Sequence, residues 1–518
     1  MLLETGPVST DIVGSIGLAV VAAMAAFLLQ LNAPLRGADE GYIWYGVLRT
    51  LEGQVPLRDF RSYEPGRYYW SAMFLAVVGG GLTPLRAAVH AFFLVGLACA
   101  SLALRLSGHG WDAVVASALL LAAWAHPAYK LFEPALLLIA VLAGTAVLID
   151  PSLQTLMAAG FVAGLSACIG VNYGLYNGLG LAGLVVLSAA TSSPIGLVVS
   201  LAAFTAGAAL GAAPLVIFFT AARGTLSVFI ERRIRAVARR GSTNLPLPIP
   251  WPWAGAPPSL LGYSPPGQRF IRLYFILLPL FSGTVIAWAV ASSRAALAGQ
   301  EVIVACAFVG AAGCHHAFSR ADVEHLSQSM PPLLVGLVAL LGHWPLGWPV
   351  LAIFLGWGTM TTVLQVHPRL GRHRPADAVV RRRVNGSAVT LTPQDASIIH
   401  TVERAIAQCA GGAVDASIVA VPTLVWVYPV LGRSSPTYDT YCVYPATRDD
   451  QRTMVRQIEQ GNVALVFVDN QPIDGRDDLR FARTHPEVWR FLERTFERME
   501  VTGAPPDFHV RARSVRPG

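Results

Sequence analysis

Between residues 37 and 70 the chain reads Gly37-Ala38-Asp39-Glu40-Gly41-Tyr42, then Arg49, Gly53, Pro56, Arg58, Asp59 and Phe60, then Tyr63-Glu64-Pro65-Gly66-Arg67-Tyr68-Tyr69-Trp70. Adjacent carboxylates just after a long apolar run are costly at a membrane boundary unless they are solvated or used. Burial and like-charge pairing make a carboxylate hold protons more tightly, which suits general-base work. Tyr42, Tyr45 and Arg49 recur at three- and four-residue spacing. They therefore share one face of a short helix, where aromatic rings can stack on sugar rings. A solvated interfacial helix with an aromatic belt is the competing reading, and the residue types alone leave both open.

A second constellation, Arg320-Ala321-Asp322-Val323-Glu324-His325, follows closely on Cys314, His315 and His316. Its spacing is not diagnostic of a metal site, and a helix-capping turn with a satisfied histidine is the plainer alternative. Lys130 is the sole lysine and stands beside Tyr129 and near Glu133 at the edge of an apolar run. A lone lysine there is either functional or a snorkelling or ion-paired residue. Asn172-Tyr173-Gly174-Leu175-Tyr176 is a polar connection that either lines a cavity or packs small residues between helices. The other basic residues are arginines, as a GC-rich genome would give. Arginine also grips phosphate with a planar fork, which makes Arg58, Arg61 and Arg67 candidates for phosphate or for lipid headgroups.

The elements that must position these residues follow from composition. The 518 residues are 54% apolar and 13% charged, with mean hydropathy +0.52. That excludes an ordinary soluble enzyme, a disordered chain and a fibrous repeat, and it predicts a polytopic α-helical membrane protein. The first apolar run, 12–31, lacks a preceding basic residue and reads as a first span rather than a secretory signal. Further spans are expected near 84–106, 111–127, 130–149, 152–170, 174–190, 194–222, 270–292, 300–317, 330–343 and 346–366, about eleven in all. Residues 71–82 are too few to span. Residues 245–266 are too rich in proline for a helix and place Trp251 and Trp253 at the surface, and 227–240 reads as a basic interfacial helix.

From about His367 the character changes. Arg369, Arg372, Arg374, Arg381, Arg382 and Arg383 form a basic segment after the last span. A helix over 392–409 capped by Thr392, buried strands at 417–421 and 463–469, and an amphipathic helix over 487–499 make residues 367–518 a small soluble α/β domain beside a transmembrane domain of 1–366. Asp469, Asn470, Asp474, Asp477 and His485 read as structural turn residues there. Of six cysteines only Cys409 and Cys442 lie where they could pair. Eleven spans would put loops 32–70 and 223–269, turns 127–130, 170–174 and 318–329, and the C-terminal domain on one side. The positive-inside rule would make that arginine-rich side cytoplasmic, unless the arginines serve substrate.

The series Asp39-Glu40, Tyr42, Arg49, Gly53, Pro56, Asp59-Phe60, Glu64-Pro65 and Tyr68-Tyr69 resembles the first extracytoplasmic loop of the GT-C glycosyltransferases. Within them it is most similar to the bacterial protein O-mannosyltransferase and aminoarabinose transferase group. The resemblance covers the loop, continues loosely as a span pattern to about residue 366, and does not reach the C-terminal domain. It implies a multi-pass protein of the bacterial cytoplasmic membrane, with its site and C-terminal domain on the extracytoplasmic face. It implies transfer of a sugar from a polyprenyl-phosphate carrier to a glycan, lipid or protein, with inversion. Asp39 then matches the catalytic acid and would act as general base. Glu40 would position acceptor or metal, and Glu64 would be a second loop acid whose basic neighbour is displaced to Arg67. Tyr42, Arg49, Arg58, Tyr63, Arg67, Lys130, Asn172, Arg320 and His325 would bind substrate, with Asp322 orienting Arg320 or His325. A divalent ion, Mg or Mn, is compatible but not required, and no residue is nominated as a metal ligand. The rival is a transporter or flippase for an anionic lipid-linked sugar, which would bury polar residues at mid-membrane rather than at span ends. No basic stripe suggests nucleic acid.

Overall fold

The computed structural model describes residues 7–191, 196–255, 257–342, 344, 346–364, 380–409 and 417–513. The chain forms two compact units, the first from residues 1–31, 64–67 and 86–374, the second from 32–63, 68–85 and 375–518.

The first unit is helical. Thr10–Gln30, Leu82–Leu106, Phe132–Ile149, Val171–Thr191, Leu197–Ala221, Pro265–Ala291 and Glu301–Ser319 are long and apolar enough to cross a membrane. Val323–Ser329 and Pro331–Gly342, bent by 54°, can count as one further span. The expected eleven is therefore not reached among the described residues. Trp111–Ala123 and Leu153–Ile169 are helical but shorter, and the expected last span falls on a helix of 347–361, interrupted by a π-type turn.

Small residues set the packing. Helices Leu153–Ile169 and Leu197–Ala221 meet through Gly160 and Gly164 on one and Gly207 and Gly211 on the other. A Cβ at any of the four would collide with the partner's backbone carbonyls. Close backbone approach of this kind replaces the hydrophobic drive that lipid cannot supply. The outward side of Leu197–Ala221 leaves Val198, Leu210 and Ile217 exposed, as suits a lipid-facing surface. Buried Arg86 donates to the carbonyls of Gln30 and Leu31, satisfying the open end of the first helix.

The described residues of 245–266 hold no α-helix beyond the first two residues of Pro265–Ala291, only a 3-10 turn at Pro258–Leu260. Trp251 and Trp253 stack there with centroids 5.3 Å apart. The basic stretch 225–240 is helical with a π-type turn at Ile230–Arg235, and Glu231 pairs with both Arg235 and Arg239.

In the second unit, β1 (Val380–Val384) and β2 (Ser387–Leu391) make a hairpin. Its turn, Asn385-Gly386, takes positive φ at both positions, the pairing such a tight turn requires. Four strands, β3 (Ser417–Val421), β4 (Val463–Asp469), β5 (Phe496–Met499) and β6 (Phe508–Arg513), form a sheet in the order β3-β4-β6-β5. Only the β3–β4 pair is parallel, so a crossover carrying helix Arg448–Gln460 joins them. Val419, Val466, Val468, Ile458, Phe481 and Leu492 fill the core.

Both expected strands and the Thr392 cap stand where the sequence places them; Thr392 Oγ1 accepts from Asp395 N at 3.1 Å. Two expectations are corrected. The helix expected over 487–499 is Pro486–Thr495, and Phe496–Met499 is strand β5. The charged pattern fits either element there, and Phe496–Met499 pairs with β6 across the sheet. None of the six cysteines forms a disulfide; Cys409 is exposed beside Met499 and Cys442 is buried. Arg369, Arg372 and Arg374 lie outside the described residues, whereas Arg381, Arg382 and Arg383 belong to β1.

Candidate active site

In the second unit the first loop forms helix Asp39–Leu51. Asp39 and Glu40 occupy its first turn, where the helix dipole favours negative charge. Glu40 closes that end: its backbone N donates to the Arg36 carbonyl at 2.9 Å, and its buried carboxylate accepts from Arg36 N at 3.3 Å. Gly37 and Gly41 are small for a reason, since a Cβ at either would strike Trp426. Gly46 likewise admits Tyr68 and Phe60.

Asp39 accepts a hydrogen bond on Oδ1 from Tyr441 Oη at 2.6 Å. Tyr441 also stacks on Tyr42, with centroids 4.9 Å apart and planes 27° apart. Tyr63 meets the Tyr42 ring edge-on at 5.2 Å. Tyr45 packs against Tyr428 and accepts from Ser435 N at 3.1 Å. The aromatic face expected to meet a sugar ring is thus largely covered by residues 426–441. Arg49 is buried over the Tyr45 ring and paired with Glu52. Arg58, 45% exposed, pairs with its neighbour Asp59 at 2.8 Å. Arg61 pairs with Asp439 at 2.6 Å and donates to the Tyr441 carbonyl at 3.2 Å. His485 is buried against Phe481, and that burial pulls its imidazole down to about 4.

In the first unit Glu64 is buried and lies 3.6 Å from Arg233 of the basic helix. Arg67 is buried and ties down two elements. Nη1 reaches Glu133 at 3.0 Å, and Nε and Nη2 donate to the Ile169 carbonyl at 3.0 and 2.8 Å. Lys130 ends the short turn Ala128–Lys130 and lies within electrostatic reach of His316. Tyr129 Oη is 3.4 Å from Glu324.

Asp322 is the hub of the late turn. It caps helix Val323–Ser329 by accepting from His325 N at 2.9 Å. It also holds His325 Nδ1 at 2.8 Å and Arg320 Nε at 2.8 Å. Burial alone would raise its pKa, but the His325 bonds and the Arg320 charge prevail and hold it at about 2. The same carboxylate therefore serves as the capping turn and orients both cations. The His325 ring lies 4.9 Å from that of His316, and Tyr176 Oη bonds His315 Nδ1 at 2.7 Å. Asn172 is exposed at the start of Val171–Thr191; the buried amide of that helix is Asn177, which donates to the Leu136 carbonyl and Ser166.

Among the described residues no group of three or more His, Cys, Asp or Glu side chains is arranged to hold a metal ion. Among the described residues the donors present do not assemble a Mg or Mn cage, and no metal enters the step proposed below.

Sequence reading did not single out Tyr441, Asp439, Tyr428 or Trp426. The aromatic run Tyr438-Asp439-Thr440-Tyr441-Cys442-Val443-Tyr444 was the available signal. It resembles no motif, and only its partners make it informative.

No protein-family model matches the sequence, and no curated protein does. Solved structures do. ArnT from Cupriavidus metallidurans bound to undecaprenyl phosphate superposes with a TM-score of 0.56 at 13% identity, covering 97% of this chain and 98% of its own. Apo ArnT from the same organism gives 0.53 at 15% identity, covering 96% and 98%. The likeness thus extends through the C-terminal domain, where the loop resemblance stopped. In fold this chain is built like ArnT, with at least seven helices among the described residues that are long and apolar enough to cross a membrane, and with a small C-terminal α/β domain.

Proposed function

We propose that the protein is a membrane glycosyltransferase that moves a sugar from a polyprenyl-phosphate carrier to an extracytoplasmic acceptor in a bacterial cytoplasmic membrane. The observation that carries this reading is an ArnT-like fold whose first-loop helix presents Asp39 at its start. ArnT has been solved with undecaprenyl phosphate, which favours a carrier of that class here.

In the proposed step an acceptor O–H or N–H attacks the anomeric carbon and Asp39 takes its proton. The bond from that carbon to the phosphate oxygen breaks, and the carrier phosphate leaves with the electron pair. Attack opposite the leaving group inverts the centre. Glu40 supports the helix start that carries Asp39. Lys130, Arg320 and His325 are the favoured phosphate contacts, because charge-assisted donors stabilise a departing phosphate and Asp322 holds two of them oriented. Glu64, Tyr42, Tyr63, Arg58, Arg49 and Asn172 are weaker candidates. For Arg67 the pairing with Glu133 and Ile169 favours a structural role.

The test is sugar transfer from a radiolabelled polyprenyl-phosphate-sugar pool in membranes, wild type against Asp39→Asn at matched expression. Loss of a general base predicts a fall of about 100-fold or more while carrier binding persists. Equal transfer in both would remove Asp39 from the chemistry. Absence of transfer with lipid movement intact would favour a flippase.

A further inference from the structure

We propose that Tyr441, a residue of the C-terminal domain, is a positioning residue for the Asp39 carboxylate; this rests on Asp39 being the base. Its phenol donates to Oδ1 at 2.6 Å, a short charge-assisted bond across 402 residues of sequence. The phenol is itself held from several sides. Its ring lies on Tyr42, its backbone N donates to Asp439 Oδ1 at 3.1 Å, and its carbonyl accepts from Arg61 at 3.2 Å. Arg61 in turn holds Asp439 Oδ2 at 2.6 Å and donates its backbone N to the Tyr438 carbonyl at 3.0 Å. Cys442 N donates to the Pro422 carbonyl at 2.9 Å, which fixes the far side of the segment.

The ring stack would survive in phenylalanine, so the stack does not account for the hydroxyl. What the hydroxyl adds is a fixed carboxylate plane. A base that must meet an acceptor proton in line with a leaving phosphate loses rate steeply when its orientation is free. The segment 439–442 is thereby a device by which the C-terminal domain sets the aim of the base. This gives that domain a task that neither the loop motif nor the span pattern indicates.

The experiment uses the full-length chain in proteoliposomes. The radiolabelled polyprenyl-phosphate-sugar extract serves as donor, and undecaprenyl phosphate serves as the binding probe. Tyr441→Phe should lower the maximal transfer rate about 10- to 100-fold, the range that one hydrogen bond to a charged group supports. Half-saturation for donor and binding of undecaprenyl phosphate should stay within about twofold, as expected when only transition-state geometry is lost. In an Asp39→Asn background the same substitution should cost nothing more, because the two residues act as one unit. Tyr438→Phe removes a neighbouring phenol that donates to the Leu57 carbonyl at 2.9 Å and controls for general loosening of the segment. It should transfer at the wild-type rate. Equal losses in Tyr438→Phe and Tyr441→Phe, or a full further loss in the Asp39→Asn background, would make the role merely structural and overturn the proposal. A wild-type rate in Tyr441→Phe beside an inactive Asp39→Asn overturns the proposal and spares the base. A wild-type rate in Asp39→Asn overturns both.

Discussion

Arg67 was nominated from sequence for the carrier phosphate, and its surroundings predict a different phenotype. Its side chain is 4% exposed and that of Glu133 5%, with 3.0 Å between Nη1 and Oε1. Two more donors are spent on the Ile169 carbonyl. Replacing Arg67 by Met strands a buried carboxylate, a change that costs about 3–5 kcal/mol, and leaves a carbonyl short of donors for about 1–3 kcal/mol more. The two costs overlap, so a total of about 4–6 kcal/mol is expected. Changing Glu133 to Leu as well removes the stranded charge and should leave only the carbonyl deficit of about 1–3 kcal/mol, a recovery of about 3 kcal/mol over Arg67→Met alone. The assay is the thermal midpoint of the purified full-length chain in nanodiscs for Arg67→Met, Glu133→Leu and the double variant. The single Arg67 change should lower it by about 5 °C or more, and the double change should recover most of that. Two results would refute the reasoning. One is additive losses in the double variant. The other is an unchanged midpoint in Arg67→Met with a raised donor half-saturation, which would return Arg67 to the phosphate.

Two further outcomes follow from the packing and burial of single residues. Gly41→Ala places a methyl against Trp426, with its Cα only 2.9 Å away, and should destabilise the second unit by about 1–3 kcal/mol. Gly17→Ala, where nothing lies within 4 Å, should be neutral or slightly stabilising, and limited proteolysis of the two variants would separate them. His485 is held neutral by burial, its pKa lowered from 6.5 to about 4. The unfolded chain takes up its proton first on acidification. The stability it contributes is therefore full above pH 6.5 and is lost as pH falls towards 4. Hydrogen exchange of strand β4 and helix Pro486–Thr495 should accelerate across that window. His485→Gln should flatten the change, and an identical pH response in the variant would assign it to other groups.

Much of this architecture was legible in the residues. Long apolar runs become helices because a lipid-exposed backbone must satisfy its own hydrogen bonds. Thr392 before Pro393 and the continuous apolar runs of β3 and β4 are local signals, readable within a few residues. The acidic pair, loop spacing and aromatic face of helix Asp39–Leu51 pointed to the first loop for the same reason. Span number was less legible, because hydropathy does not say whether thirteen residues such as Trp111–Ala123 cross a bilayer or stop within it.

Partner choice lay beyond the sequence. Nothing near Asp39 indicates that Tyr441 will bond it, nothing near Arg61 indicates Asp439, and nothing near Arg67 indicates Glu133. Arg49, Arg58, Arg61 and Arg67 look alike in the chain, yet packing pairs each with a different acid. A residue's type and spacing determine which bonds it is able to make, since donors, acceptors and helical faces are local properties. Which bond it does make depends on what the folded backbone brings within about 3 Å. For the proposed base, that choice was made by a tyrosine 402 residues away.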